Sequence, residues 1–262
     1  MKKSWYQLLA IACCAWLASQ AALADELIVL PTREGVTDSY WWMPRENAKA
    51  NLILLSGGAG GIGLRDGTPQ SNNFLIRSRD HFATGNAAAK FNVALLGNAS
   101  DLRALNPQLR TTPEHVTDIA AIVAHIKTKS TLPVWLIGTS QGTISGASAA
   151  IALGDKVNGL VLTSSMTDFR ASTGVQFQEL EKIKIPVLVA SHEQDSCRVT
   201  IPRDAKYIIE KLTAAPIKKL IFLSGGSNPS GNPCEPMHWH GFIGMEAQAA
   251  QTVTDWILNP QP

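Results

Sequence analysis

Ser140 stands at the centre of Gly138-Thr139-Ser140-Gln141-Gly142, directly after the apolar run Val134-Trp135-Leu136-Ile137 and ahead of a stretch rich in alanine and serine. A serine in G-x-S-x-G can be presented as a nucleophile at a tight strand-to-helix turn, in a strained conformation, with the glycines letting neighbouring backbone pass. Such a turn exposes Ser140 Oγ above the edge of a sheet. It also aims the N–H of Gln141, at the start of a helix, at the place where an oxyanion would form. The pentapeptide by itself is a weak signal, because glycine and serine are common. Its flanks give it weight: 134–137 reads as a buried parallel strand, and 143–153 as a helix of small residues that packs closely on a sheet.

A serine nucleophile needs a base for its proton and an acid to hold the base in the right tautomer. Asp195 follows the apolar run 186–191. His240 lies in His238-Trp239-His240-Gly241-Phe242, just before the last helical stretch. Each has a competitor: His238 shares the histidine loop, and Asp168 follows the preceding strand. His81, His115, His125 and His192 are read as structural or solvent-facing. No group of His, Cys and carboxylate residues has metal-ligand spacing, so neither a metal nor an organic cofactor is expected.

The elements that must position these residues alternate between strand and helix. Strands are expected at 27–30, 40–43, 51–55, 92–96, 160–163, 187–191 and 220–223, besides the run before Ser140. Helices are expected at 73–82, from Pro113 with Thr112 as its cap, from Pro202, and at 245–258. The strand at 51–55 ends abruptly in the glycine-rich Ser56-Gly57-Gly58-Ala59-Gly60-Gly61-Ile62-Gly63. Tyr40, Trp41 and Trp42 are expected to pack on a sheet rather than to form a binding box. This alternation predicts an α/β fold with a mostly parallel central sheet flanked by helices on both faces, and ligands at the carboxyl edge of the strands. No repeat or linker divides the chain after its leader, so residues 25–262 are expected to form a single domain.

The leader is expected over residues 1–24. Lys2 and Lys3 precede an apolar stretch too short for a bilayer core of about 30 Å, and Ala22-Leu23-Ala24 offers a cleavage site, the pattern of a secretory signal peptide. Its removal takes away two lysines and no acid, leaving 21 basic and 21 acidic side chains. No basic stripe or cationic amphipathic helix points to nucleic acid or a membrane, and no protein partner is implied. The expected location is therefore the periplasm or the medium. Removal also deletes Cys13 and Cys14, so Cys197 and Cys234 are the two cysteines of an exported chain and are expected to pair as a disulfide. That bridge would join the loop of Asp195 to the loop of His240.

The order Ser140, Asp195, His240, with the elbow at 138–142 and His240-Gly241-Phe242 before the closing helix, resembles the α/β-hydrolase family in its esterase and dienelactone-hydrolase-like branches. The resemblance covers nearly all of residues 25–262. It implies the α/β-hydrolase fold, with His240 as base and Asp195 as acid. Many members carry His-Gly after the first central strand, where this chain has Ser56-Gly57-Gly58-Ala59. The resemblance therefore leaves the second oxyanion donor, beside Gln141, to the N–H of either Gly58 or Ala59.

The implied activity is hydrolysis of a small-molecule carboxylic ester through a Ser-His-Asp triad and an acyl-enzyme. Thioesterase, amidase and acyltransferase chemistry use the same machinery. A different class, a catalytically silent hydrolase-fold protein that binds a ligand or partner, satisfies the same motifs. The segment 164–186, where relatives commonly insert a cap, is short, which implies an open cleft.

Overall fold

The computed structural model describes residues 23–170 and 172–262. The expected leader therefore lies outside the described residues, apart from Leu23 and Ala24. No helix among the described residues is long and apolar enough to cross a membrane.

The strands are β1 (Glu26–Arg33), β2 (Val36–Met43), β3 (Ala48–Leu55), β4 (Leu64–Arg65), β5 (Thr68–Pro69), β6 (Lys90–Leu96), β7 (Val134–Thr139), β8 (Gly159–Thr163), β9 (Val187–His192) and β10 (Lys218–Leu223). Eight of them form one sheet in the order β1-β2-β6-β3-β7-β8-β9-β10, with β4 and β5 as a small separate hairpin. β1 with β2 and β2 with β6 pair antiparallel; every other pairing in the large sheet is parallel.

Residues in a strand alternate between faces, and the core divides accordingly. Ile53 and Leu55 of β3 join the layer that contains Ile122, Ile144 and Ile208, while Leu52 and Leu54 join the layer of Phe74, Phe82 and Trp256. The first layer is covered by α3 (Pro113–Lys129), α4 (Gly142–Leu153) and α5 (Ala205–Lys211). The second is covered by α1 (Phe74–Arg77), α2 (Arg79–Thr84) and α6 (Glu246–Leu258). Both faces are covered, which is why β7, β8 and β9 are buried at every position.

Two expected helices differ in detail. The helix expected over 73–82 is broken at the buried Ser78 into α1 and α2, serine being a poor helix-interior residue. The helix expected from Pro202 begins as a 3-10 turn, Pro202–Asp204, before α5; a proline that lacks an N–H suits such a tightened first turn. Thr112 caps α3 as expected, its side chain accepting from the N–H of His115.

Two of the histidines assigned no role are buried rather than solvent-facing. His115 Nε2 lies 2.9 Å from Ser145 Oγ, and His192 stacks on Trp239 at 4.8 Å and accepts from the N–H of Gln194. On β2, Asp38 is buried with Oδ1 accepting from the N–H of Ser39 at 2.6 Å. Desolvation pushes its carboxyl up to about 7.

The chain leaves β3 to build β6 on one side and returns to build β7 on the other. The carboxyl ends of β3 and β7 therefore flank the point where the winding direction reverses, and a crevice opens there. The register aligns those ends: Leu55 lies opposite Gly138, Thr139 opposite Thr163, and Thr163 opposite Ala190. Ser56, Ser140 and Ser164 consequently emerge side by side at one rim.

Candidate active site

Ser140 has φ +53°, in the left-handed region that a non-glycine residue adopts only when its surroundings impose it. Its N–H donates to Thr163 O at 3.0 Å, which ties the turn to β8. Close approach of main chain completes the constraint. A Cβ on Gly142 would collide with the carbonyl of Leu55, and one on Gly57 would come within 2.8 Å of Ser140 Cβ and 2.9 Å of Thr139 O. The elbow and the glycine loop thus interlock through atoms that only glycine leaves free. Ser140 Oγ makes no hydrogen bond to another described residue.

Asp195 lies just beyond β9, with its side chain fully buried, and receives three hydrogen bonds. The Cys197 N–H donates to Oδ1 at 2.9 Å, Thr200 Oγ1 donates to Oδ2 at 3.0 Å, and His240 Nδ1 lies 3.0 Å from Oδ2. Thr200 Oγ1 is also 3.1 Å from His240 Nδ1. These contacts place the imidazole proton on Nδ1 and leave Nε2 as the free acceptor. Around His240, Ser164 Oγ donates to the His240 carbonyl at 2.8 Å, and Arg77 donates to the Gly241 carbonyl while its Nε donates to Glu246 at 3.0 Å. Ser164 itself has φ +44° and Phe242 has φ +56°, so three constrained non-glycine residues ring this site.

Cys197 and Cys234 form a disulfide, linking the Asp195 loop to the segment that precedes His240. Asp195, Cys197 and His240 bring ligand-type atoms within 4.8 Å of one another. With Cys197 Sγ bonded to sulfur, that group has no thiolate to offer a metal; what remains is a carboxylate paired with an imidazole.

The competitors are placed elsewhere. Asp168 is held by Arg170, Nε to Oδ1 at 2.9 Å, and that hydrogen bond is the main reason its carboxyl sits below the usual range. His238 is half-buried, with its Nδ1 lacking a partner among the described residues and no bond to Asp195.

Ser140 and His240 line the same cavity, of about 460 Å³, together with Gln141, Gly58 and Ala59. Among the described residues, the N–H groups of Gln141, Gly58 and Ala59 carry no backbone hydrogen bond, although Gly57 O closes a turn with the Gly60 N–H at 3.1 Å. Free N–H groups beside a helix N-terminus suit a developing negative charge. Among the described residues of 164–186 there are only two 3-10 turns, Val175–Phe177 and Leu180–Lys182, and no lid helix. Apart from the elbow and the pair Asp195–His240, the supporting residues Thr200, Ser164 and Arg77 belong to no motif. Of these, Thr200 alone lies near Asp195 in sequence, five residues past it.

No protein-family model and no curated protein matches the chain. Solved structures do match. Est1E from Butyrivibrio proteoclasticus superposes with a TM-score of 0.58 at 15% identity, over 89% of this chain and 98% of its own. A serine hydrolase without lid from Xanthomonas campestris gives 0.59 at 14% identity, over 91% and 96%. An esterase from Pyrococcus furiosus gives 0.65 at 12% identity, over 90% and 91%. Likeness at such low identity speaks for architecture, and the winding of the sheet, the helices on both faces and the serine turn after β7 agree with it. The chain therefore has the α/β-hydrolase fold.

Proposed function

We propose that the protein hydrolyses carboxylic esters of small molecules, with Ser140 as nucleophile, His240 as base and Asp195 as the carboxylate that orients it. One observation carries this reading: a serine constrained at φ +53° shares a single cavity with an imidazole whose Nδ1 is tied to a buried carboxylate. His240 Nε2 takes the Ser140 proton as Oγ bonds to the ester carbonyl carbon. The oxyanion is held by the Gln141 N–H and by the N–H of Gly58 or Ala59. Collapse breaks the bond to the alcohol, which leaves with the proton from His240, and water repeats the sequence to free the acid. Among the described residues Ser140 and His240 are not hydrogen-bonded to each other, a bond that the reaction requires only once the substrate is in place.

Among the described residues, Glu235 is the only carboxylate lining the cavity, and no lysine or arginine lines it. Neutral esters therefore suit the site better than esters that carry a second carboxylate. The esterases and hydrolases that share the architecture support the reaction class. The leader-like residues 1–24 and the disulfide support export of a single domain, residues 25–262, to the periplasm or beyond.

The test is direct. Purified protein releases p-nitrophenol from p-nitrophenyl acetate and is labelled by a fluorophosphonate, and Ser140→Ala loses labelling and at least about 10⁴-fold in kcat. Equal turnover in the alanine variant would refute the Ser140 reading, and a wild type with neither turnover nor labelling would favour a silent ligand-binding role.

A further inference from the structure

Behind the turn from Gly57 to Gly60, Arg110 is almost fully buried, at 1% exposure. Nη2 donates to the Gly58 carbonyl at 2.8 Å and Nη1 donates to Ser145 Oγ at 3.0 Å. Ser145 lies on α4, four residues beyond Gln141, and its Oγ meets His115 Nε2 at 2.9 Å on the other side. One guanidinium therefore bridges the loop and the helix that carry the two halves of the candidate oxyanion site.

The charge of Arg110 is unusual in having no counter-ion. Its Nε has no partner, and no carboxylate lies within ion-pair distance of it among the described residues. Desolvation is the sole cause perturbing it, and lowers its pKa to about 10, still well above neutrality. His115 is pushed down to about 4, first by burial and then by the neighbouring Arg110, so at neutral pH it is an uncharged partner for Ser145. A buried cation with only neutral acceptors is costly, and a core needing merely to be filled has cheaper solutions in apolar side chains.

We propose that Arg110 is a positioning residue of the oxyanion site, a proposal that rests on the ester-hydrolase reading. A trans peptide points its C=O and N–H in opposite directions, so drawing the Gly58 carbonyl inward onto Arg110 turns the Ala59 N–H outward and fixes the preceding Gly58 N–H beside it. The second bond, to Ser145, sets that loop at a fixed separation from the Gln141 N–H. The unneutralised charge is buried one peptide away from where negative charge develops, and there it stabilises the transition state more than the neutral ester.

The experiment measures kcat and KM for p-nitrophenyl acetate per active site counted by fluorophosphonate labelling, and Ki for a trifluoromethyl ketone that mimics the tetrahedral oxyanion. Arg110→Met is expected to lower kcat per labelled site by about 10- to 100-fold, below the loss seen when an oxyanion donor itself is removed, with KM changed less than about twofold. The ketone should weaken by the same factor as kcat/KM. Arg110→Lys keeps the charge and can make one of the two bonds, so it should fall between Arg110→Met and wild type. Unchanged kcat per site, a loss confined to KM, or a ketone affinity that does not follow kcat/KM overturns the proposal. If Arg110→Met fails to fold, Arg110→Lys decides by the same criteria, wild-type kcat overturning it. A wild-type protein that is neither labelled nor active removes the hydrolase reading and this proposal together; an active wild type with unaffected Arg110 variants removes this proposal alone.

Discussion

The two sides of the candidate site are built by different means. On the nucleophile side, Ser140 is set by main chain: β7 delivers it, Thr163 O receives its N–H, and Gly57 and Gly142 leave room only for backbone. On the base side, His240 sits 17 residues beyond the end of β10, and no strand delivers it. Side chains from distant segments, Asp195, Thr200, Ser164 and Arg77, fix it instead, with a disulfide across a sequence separation of 37. Regular structure positions the first; cross-links position the second.

That contrast can be broken from either side. The largest effect is expected at Gly142→Ala. The added methyl meets the Leu55 carbonyl, so the turn must open, and kcat should fall by at least about 10³-fold or folding should fail, the latter visible as lost soluble yield. Reduction or Cys197→Ser with Cys234→Ser comes next. In the chain-entropy picture a loop of this span contributes up to about 4 kcal/mol, so the melting temperature should drop by several degrees. Activity should fall below that of the oxidised protein even at temperatures where the protein remains folded by circular dichroism. A variant with unaltered kcat would mean that the side-chain contacts hold the loop unaided.

Thr200→Val is milder. It removes one donor from Asp195 and one acceptor from His240 while keeping shape, and kcat should fall by about 3- to 30-fold with little change in melting temperature. A fall in melting temperature without a fall in kcat would assign Thr200 to stability alone.

Smallest is an effect away from the site, which serves as the baseline for both sides. The carboxyl of Asp38 is raised in the folded protein, so the fold binds its proton more tightly than the unfolded chain does. The stability this gives is complete below pH 4 and is lost as pH rises through about 7. Asp38→Asn, whose side-chain oxygen can still accept from Ser39, should match wild type near pH 4 and melt higher at pH 8, with kcat unchanged at both. Equal melting curves at pH 8 would show that Asp38 is solvated after all.

How much was legible in the sequence follows from the same contrast. The strand, turn and helix around Ser140 are local, and their apolar run and glycines spell out the geometry within a few residues. The parallel sheet was legible for the same reason, although strand ends such as 48–50 and 218–219 were missed, because alanine and lysine, which occupy them, have weak strand preference. Asp195 and His240 were legible as residues through chain order, and the cysteine pair through number and the expected compartment. Ser164 and Arg110 were not, since each acts on partners 35 or more residues away and neither has a neighbour pattern that announces it; Thr200 lies five residues from Asp195, but its contact with His240 spans 40 residues. Arg110 in particular sits in a polar stretch that composition assigns to solvent.

The constraint on Gly142 has a further consequence for how the protein can change. Its obstacle is a main-chain oxygen, which every amino acid at position 55 possesses, so no exchange at the opposing position can make room for a bulkier residue. Damage there should yield no second-site revertants at position 55. The base side, held by side-chain pairs, leaves lineages free to swap partners while keeping the imidazole in place.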